Sequence, residues 1–274
     1  MSHKTLISGT AYEVVGGAQM IDGTKFQMGG GGKTLVGGTA FTIPFAKGIP
    51  IGTLPVGSVV KIGVNGKSYD FLVVNQGIPS NSSLYDSSCD GTWMLMKDGY
   101  EYRAWDSNTG GKYENSSINA YLNGEFLNLV DKNVSGKIKQ VKIPYRKNGG
   151  SGGTDQSGAN GLSCKVFLLS GYEVGWTTIN YADLPKDGAK LSYFVSGTGT
   201  SANNRRVAYT GGEPQSWWLR SPRTDYTNRT VSVFSDGTYS SGYTSFSYGV
   251  RPAFTLPSTF PVIQNPDGTY SPAA

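Results

Sequence analysis

One clear helix stands between two groups of strand-like segments, and this order constrains the fold more than any other feature of the chain. The segment NSSINAYLNGEFLNLV, residues 115–130, begins with a Ser/Asn cap and repeats apolar residues on one helical face. That face comprises Ile118, Tyr121, Leu122, Phe126 and Leu129. Strands, one helix, a loop-rich middle and terminal strands predict an α+β fold with mostly antiparallel strands, and not alternating βαβ units.

The strands before the helix are predicted from alternation and turn chemistry. SVVKIGV and SYDFLVVNQ alternate apolar and polar residues around a tight turn at 65–67, and TWMLMK at 92–97 is a more buried strand. After the helix, NGGSGGTDQSGANG at 148–161 predicts a flexible surface loop, and KVFLLSG at 165–171 a core strand. YEVGWTTINYADLP, which follows, predicts a short helical or irregular passage.

Composition excludes several classes of protein and of active site. Gly accounts for 39 of 274 residues, aromatic residues for 12% and charged residues for only 16%, which is typical of a turn-rich β-leaning protein and unlike a disordered chain. His3 is the only histidine, so Ser/His/Asp, Cys/His and His-rich metal sites are excluded for this chain. For Cys89 and Cys164 we expect two buried thiols, with a disulfide as the alternative.

Charge and hydropathy predict neither a nucleic-acid partner nor membrane insertion. The net charge is +5 and the pI about 9.0, but the basic residues are scattered, and the densest group, at 137–147, is expected to be a solvated face. No apolar run reaches the length of a membrane span, and the first residues, MSHKTLISGTAYEVVGG, lack a signal-peptide core. We therefore expect a soluble protein that is synthesised in the cytoplasm.

The first fifty residues contain a threefold repeat. LISGTAY, MIDGTKF and LVGGTAF, which begin at residues 6, 20 and 35, share the pattern apolar, apolar, x, Gly, Thr, x, aromatic. Each unit predicts a strand, a Gly-containing turn and a second strand, which must pack on something because a single hairpin is not stable alone. We assign residues 1–54 to attachment or oligomerisation, through a second copy or a virion partner, and residues 55–274 to the main domain. A Gly-rich decoration is the alternative.

Four motifs that resemble catalytic or ligand sites are weak. GGGGK with Thr34 lacks the spacing of a phosphate loop. The acid pairs Glu101 with Asp106 and Asp183 with Asp187 are expected to be solvated and not catalytic.

In NNRRVAY, residues 203–209, Arg205 and Arg206 could bind phosphate, but on a strand they would point in opposite directions and form separate salt bridges. Glu213, Pro214 and Gln215 are interpreted as a turn and not as a calcium loop, although oxygen ligands from separated loops leave calcium open. The sequence thus predicts no catalytic residue, no cofactor and no metal ligand.

The most specific motifs frame a segment near the C-terminus. WWLRSP at 217–222 and GVRPAF at 249–254 bracket it, and SINAYLN at 117–123 lies in the helix. Together these motifs resemble the C-type lectin-like domains of a large group of bacterial and phage proteins, over residues 58–257. That group includes the variable proteins of diversity-generating retroelements, in which error-prone copying of adenines rewrites a short C-terminal segment. The resemblance implies a stable scaffold with a changeable binding surface.

Residue usage in the framed segment agrees with that implication. Asn codons that are randomised at both adenines cannot encode Lys, Glu, Gln, Met or Trp, and residues 223–248 contain none of the five. These types account for 39 of the 274 residues, so 26 independent draws would avoid them all with a probability of about 0.02. Residues 223–248 are therefore the predicted variable segment.

Tyr, Phe, Ser, Asn and Arg in this segment are the residue types of antibody binding sites. The predicted ligand-binding residues are Arg223, Thr224, Asp225, Tyr226, Asn228, Arg229, Ser232, Phe234, Tyr239, Ser240, Ser241, Tyr243, Ser245, Phe246 and Tyr248. Val231 and Val233 should face the core, which places Ser232 and Phe234 on the other side unless a bulge changes the register. The predicted scaffold residues are Trp217, Trp218, Arg220 and Arg251, with Pro222 and Pro252 ending strand pairing. Of the two tryptophans, one should lie in the core and the other support the binding surface, and the arginines should hold loop carbonyls or an acid.

The resulting functional expectation is a phage or prophage-encoded, non-catalytic protein that is displayed on a virion or cell surface and binds a protein or glycan on a cell. A structural virion decoration without a diversified site is the first alternative. An enzyme on the same fold is the second, since relatives include formylglycine-generating enzymes, but those use cysteines near the C-terminus and this chain has none after Cys164.

Overall fold

The computed structural model describes residues 48–80, 82–107, 111–177 and 184–273, together with the backbone of six strands in the first 42 residues. Those six strands are β1 (Lys4–Ile7), β2 (Thr10–Val15), β3 (Ala18–Ile21), β4 (Thr24–Gln27), β5 (Lys33–Val36) and β6 (Thr39–Thr42). β1 to β4 form an antiparallel sheet in chain order, and β5 pairs with β6. The hairpin predicted for each repeat unit is confirmed, while the turns between the paired strands lie outside the described residues.

Nineteen further strands follow in the described part of the chain. They are β7 (Ile49–Pro50), β8 (Val59–Val64), β9 (Lys67–Gln76), β10 (Thr92–Met96), β11 (Tyr102–Ala104), β12 (Val141–Ile143), β13 (Tyr145–Lys147), β14 (Thr154–Gln156), β15 (Leu162–Cys164), β16 (Val166–Phe167), β17 (Tyr209–Thr210), β18 (Glu213–Pro214), β19 (Trp217–Pro222), β20 (Arg229–Val233), β21 (Tyr239–Tyr243), β22 (Ser247–Gly249), β23 (Ala253–Leu256), β24 (Pro261–Gln264) and β25 (Tyr270–Pro272).

Helical structure is limited to short segments. The α-helices are α1 (Ser117–Tyr121), α2 (Leu127–Leu129), α3 (Lys132–Ser135) and α4 (Thr200–Asn204), and a π-helical segment, Leu122–Phe126, joins α1 to α2. The 3-10 turns are Ile51–Thr53, Ser82–Leu84, Ser87–Cys89, Tyr113–Asn115 and Gly158–Asn160. Mostly antiparallel strands with few helices confirm the α+β class.

Two sheets carry the main domain. The larger has the order β16-β23-β10-β9-β8-β25-β24-β7, and only β25 and β8 are parallel neighbours in it. The smaller has the order β11-β22-β19-β20-β21, with β19 and β22 parallel. WWLRSP (β19) and the last residues of segment 223–248 (β22) both lie in the smaller sheet. Segment 223–248 therefore begins and ends in one sheet.

The β8–β9 hairpin forms as predicted. Val64 pairs with Lys67, and the two residues of the turn, Asn65 and Gly66, have φ values of 50° and 71°. This is the backbone of a two-residue hairpin turn, which Asn-Gly favours because both positions need positive φ.

The predicted helix is present, and side-chain hydrogen bonds hold it at Ser116, where it begins, and at Asn123. The Ser116 hydroxyl accepts a hydrogen bond from the Asn119 backbone N–H, as an N-cap does. Asn123 donates from Nδ2 to the Val166 carbonyl at 2.9 Å and accepts from the Lys165 N–H at 2.8 Å, which ties the helix to β16. Gly124 lies in the π-helical segment.

The core starts earlier along the chain than the predicted boundary at 54/55. β7 pairs with β24, and Ile51 and Leu54 are buried in the same hydrophobic core as β8 to β10. Residues 49–54 therefore belong to the main domain, and the boundary moves to residue 48 or before.

The loop at 148–161 differs from its prediction. It forms a hairpin in which β13 pairs with β14, and it continues into a 3-10 turn at Gly158–Asn160. Gly149 and Gly150 are buried, so this segment is ordered by packing and is not a free loop. Of the following passage, the described residues through 177 form turns, and 178–183 lie outside the described residues.

Candidate binding surface

β19 is the structural frame of the smaller sheet, because all six of its residues are buried. The Trp217 indole N–H donates to the Arg206 carbonyl and the Trp218 indole N–H to the Arg103 carbonyl, each at 2.9 Å. The two residues lie on opposite faces of the strand, as alternation requires. Both tryptophans are in the core, and Trp218 also supports the candidate surface, since its ring lies 4.3 Å from that of Tyr248.

Arg220 joins β19 to three loops. Its guanidinium contacts both Glu173 carboxylate oxygens, at 2.6 and 2.7 Å, and neither side chain is exposed. It also donates to the carbonyls of Pro144, Leu168 and Asp187. The expectation that this arginine holds an acid or loop carbonyls is confirmed, and both kinds of partner are present.

The second scaffold arginine is Arg251, and the hydrogen bonds of its guanidinium group go to backbone carbonyls. Arg251 donates to the carbonyls of Met96, Lys97 and Arg206, at 3.1, 2.8 and 3.4 Å. Burial lowers its pKa to about 10, because the described residues supply no carboxylate in contact with it. Pro222 is the last residue of β19, and β23 begins directly after Pro252, in agreement with the predicted ends of strand pairing.

The first part of the framed segment, residues 223–228, rests on two glycine-rich loops. The Ser151 N–H donates to the Tyr226 carbonyl and the Gly111 N–H to the Thr227 carbonyl, each at 3.0 Å. A Cβ atom at Gly150 would overlap the carbonyl oxygens of Arg223 and Tyr226. The sequence analysis missed this support, although a run of glycines is a signal for close backbone approach.

The second part is the β20–β21 hairpin. Its turn is closed by the Phe234 N–H donating to the Thr238 carbonyl and by Asp236, whose carboxylate accepts from the Thr238 N–H and hydroxyl. Those two hydrogen bonds lower the pKa of Asp236. Val231 and Val233 are fully buried and Phe234 is 49% exposed, as predicted. β20 pairs with β21 in a regular register, whereas its pairing with β19 has a register shift between Trp218 and Pro222.

An unbroken series of ring and guanidinium contacts runs across the segment. The Arg229 guanidinium lies 4.9 Å from the centre of the Tyr226 ring and 4.4 Å from that of Tyr243. Phe246 packs edge-on against Tyr243, with ring centres 5.4 Å apart, and lies 6.3 Å from Tyr248. We call Tyr226, Arg229, Tyr243, Phe246 and Tyr248 the aromatic–arginine row.

Arg223 extends this row at one end. It lies 4.9 Å from the Tyr226 ring centre and forms a two-point ion pair with Asp225, at 3.0 and 2.7 Å. These hydrogen bonds lower the pKa of Asp225. The charge of Arg223 is thus partly neutralised within the segment, while Arg229 contacts two aromatic rings.

Most of the predicted ligand-binding residues are accessible. Asp225, Tyr226, Phe234, Tyr243, Ser245 and Phe246 are exposed, and Arg223, Thr224, Asn228, Arg229, Tyr239, Ser240, Ser241 and Tyr248 are partly exposed. Four of the large hydrophobic side chains that are at least 41% exposed lie here, namely Tyr226, Phe234, Tyr243 and Phe246. Tyr239 turns inward to pack edge-on against Trp176, with ring centres 5.2 Å apart.

Ser232 is a correction to the predicted set. It is fully buried opposite Trp218 in the β19–β20 pair, because both faces of the sheet are covered at β20. Thr244, in the same segment, is also buried, at 1% exposure. Neither side chain reaches the surface.

The remaining motifs fall into different environments. Arg205 and Arg206 follow helix α4 and do not lie on a strand, and the buried Arg206 donates to the carbonyls of Val174, Val195 and Gly197. Glu213–Pro214 is strand β18, which pairs with β17, and the turn lies before it. Glu101 binds Arg103 at 2.9 Å.

Asp187 was expected to be solvated and is instead fully buried. It accepts from the Ser221 hydroxyl at 2.7 Å through Oδ2, while its Oδ1 has no hydrogen-bond partner. Burial raises its pKa to about 7. Its predicted partner, Asp183, lies outside the described residues.

Both cysteines are free and buried, as expected, and they form no disulfide. Burial raises the pKa of Cys89 to about 11 and that of Cys164 further, so these thiols are poor nucleophiles at neutral pH. Within the described ranges no three His, Cys, Asp or Glu side chains are grouped as a metal site would require. No helix in the same part of the chain is long and apolar enough to cross a membrane.

Comparison with known families identifies the domain that carries this surface. Residues 90–258 match the model of a domain of unknown function, DUF6273. The chain belongs to the DUF6273 family. The DUF6273 match spans the helix, the frame and the whole of segment 223–248. No curated protein and no solved structure matches the chain significantly.

Proposed function

We propose that the protein is a non-catalytic ligand-binding protein that displays residues 223–248 as a variable surface on a C-type lectin-like scaffold. The ligand is a protein or glycan on a cell, and the protein is phage or prophage encoded and carried on a virion or cell surface. Many copies, assembled through the repeats in residues 1–47, would add avidity to a modest single-site affinity.

The aromatic–arginine row is the observation that carries this proposal. Large rings held in place by their neighbours provide contact area at low entropic cost, and surrounding Ser and Asn side chains can adapt their hydrogen bonds. The rings of Tyr226, Tyr243 and Phe246 remain 41%, 41% and 48% exposed, which is unusual for side chains of this size in one short segment. A surface of this kind is suited to recognition and contains no arrangement for bond making or breaking.

The placement of the three motifs supports the lectin-like scaffold. WWLRSP is the buried central strand β19, GVRPAF leads from the smaller sheet into β23 of the larger one, and SINAYLN is tied by Asn123 to β16. The side chains of WWLRSP and GVRPAF are buried, whereas the segment between these two motifs holds most of the exposed aromatic rings of the described residues. Change at the exposed positions of that segment is therefore separated from the core, to which Val231 and Val233 belong.

Labelling of intact cells tests the binding role. We would compare the fluorescently labelled full chain with a triple variant, Tyr226→Ser, Tyr243→Ser and Phe246→Ser, on a panel of bacterial cells. On every strain that the unaltered protein labels, the triple variant should give at least tenfold less signal. The control is Tyr102→Ser, a ring that is 48% exposed outside the segment and should not matter. Equal labelling by the triple variant would contradict the proposal.

The variable nature of the segment has its own test in the surrounding DNA. An adenine-rich near-copy of the codons for 217–254 beside a reverse transcriptase gene is expected. A gene without either neighbour would favour a structural virion protein with an ordinary surface.

A further inference from the structure

A half-open cleft lies outside the aromatic–arginine row, and segment 223–248 does not line it. It has a volume of about 440 Å³, within the range of small-molecule sites. The side chains that matter for its chemistry are Lys97, Asp98, Tyr193, Arg205, Tyr209 and Arg251. The cleft adjoins the β20–β21 turn, because Gly237 lies against the backbone of Asn203, two residues before Arg205.

Two tyrosines give the cleft aromatic surface. Tyr209, on β17, is 47% exposed, and Asp98 accepts a hydrogen bond from its backbone N–H at 3.1 Å. Tyr193 is partly buried, and the Arg205 guanidinium lies 4.8 Å from its ring centre. Exposed rings beside polar groups suit a ligand that has an apolar face and a polar edge, as a pyranose ring does.

The charges in the cleft favour an anion. Lys97, Arg205 and Arg251 line it together with one acid, Asp98. Lys97 is paired with Asp70 at 3.6 Å, but this pair is about half and a third exposed and so contributes little. Arg251 is held by carbonyl oxygens, and an anion nearby would offset the cost of burying its charge.

Asp98 restricts the kind of anion. A carboxylate in the wall can accept hydrogen bonds from hydroxyl groups, but it repels a phosphate group, which carries close to two negative charges at neutral pH. A singly charged carboxylate on a polyhydroxylated ring suits this lining, because the carboxylate can pair with Arg205 and the hydroxyl groups can donate to Asp98.

We propose that this cleft binds an anionic saccharide, namely a pyranose that bears a carboxylate. Arg205 binds the carboxylate, Tyr209 and Tyr193 contact the ring, and Asp98 accepts from the hydroxyls. This site is separate from the aromatic–arginine row and recognises its ligand through residues outside the variable segment.

Titration of the full chain with D-glucuronate, followed by amide chemical shifts, tests the proposal. D-glucuronate should bind saturably and at least tenfold more tightly than D-glucose, because only the former carries the charge. Inorganic phosphate and acetate should each bind at least tenfold more weakly than D-glucuronate. Absence of saturable D-glucuronate binding, or equal binding of phosphate or acetate, would overturn the proposal.

Matched variants locate the site. Arg205→Gln and Tyr209→Ala change exposed side chains, and each should weaken D-glucuronate binding at least fivefold. Arg103→Gln and Tyr102→Ala are the controls, since they remove the same types of accessible side chain outside both the cleft and the aromatic–arginine row and should leave D-glucuronate binding unchanged. Unchanged binding in both cleft variants, or an equal loss in the controls, would overturn the assignment. Either result leaves the cell-labelling test of the row unaffected.

Discussion

Arg220 and Glu173 form the most buried ion pair of the described residues. The geometry of this pair determines how much each side chain contributes to stability. Both are fully buried, the contact has two points, and Tyr85 and the Ser170 N–H also bind the Glu173 carboxylate. Such a pair gives little net stability over an apolar pair, but removing one partner leaves a charge buried without its counter-ion. The pair therefore fixes how the loops meet β19.

The variant Glu173→Gln tests the contribution of this ion pair to stability. The variant keeps the size of the side chain and removes its charge, and we expect a loss of about 3 kcal/mol in the free energy of unfolding, measured with urea. The lower end of the usual range is expected, because Asp187 can lose its proton and partly replace the missing charge. Glu101→Gln is the control, since its partner Arg103 is 36% exposed and the loss should be about 1 kcal/mol or less. Equal losses in the two variants would contradict the assigned role.

Asp187 predicts a pH dependence of stability. Its folded pKa is about 7, whereas an unfolded aspartate titrates near 4, so between these values the folded state holds one proton more. The contribution of this group is complete below about pH 4 and is lost as pH rises through 7. Asp187→Asn removes the titration, so its stability relative to the unaltered protein should increase by about 2–3 kcal/mol from pH 5 to pH 8. Urea unfolding at the two pH values measures the difference, and a constant difference would contradict the raised pKa.

At the scale of elements, two parts of the fold support the variable segment. Strand β19 pairs with β20, and the loops that contain Gly111 and Gly150 contact residues 223–227. Gly150→Ala should displace residues 223–226, because the added Cβ would overlap two of their carbonyl oxygens. We expect a loss of at least 1 kcal/mol in stability and weaker cell labelling, measured by urea unfolding and fluorescence. Gly124→Ala is the matched control, since its Cβ would meet nothing within 4 Å, and its stability should be unchanged or higher.

The elements that the sequence predicted well are those set by local chemistry. The 65–66 turn, the Ser116 cap and the alternation in β8 depend on neighbouring residues, and all of them form as expected. The errors depend on residues far apart in the chain. Ser232 is buried because both faces of the sheet are covered at β20, and Gly150 is ordered because residues 223–226 pack on it. No alternation pattern contains that information.

At the scale of the whole molecule, buried side chains form the scaffold of the main domain and exposed side chains form its proposed binding surface. All five tryptophans and the two frame arginines are almost fully buried, while the aromatic–arginine row is formed by partly or largely exposed side chains. Substitutions in the row should therefore change recognition with little effect on folding. Tyr243→Ser, for example, should change the free energy of unfolding by about 1 kcal/mol or less, which is the range of one exposed cation–π contact. Thermal unfolding checks this, and a loss similar to that of Glu173→Gln would show that the surface is part of the core.

The position of the domain boundary gives a final prediction about independent folding. A chain that starts at residue 48 keeps β7, which pairs with β24, and keeps the buried side chains of Ile51 and Leu54. A chain that starts at residue 55 loses all three. Each buried aliphatic side chain contributes about 1.5–3 kcal/mol, so the shorter chain should lose several kcal/mol in urea unfolding, while the chain from 48 should unfold at the same urea concentration as the full protein. If both chains unfolded alike, the core would begin after residue 54; if both were destabilised, residues 1–47 would contribute to the stability of the main domain as well as to assembly.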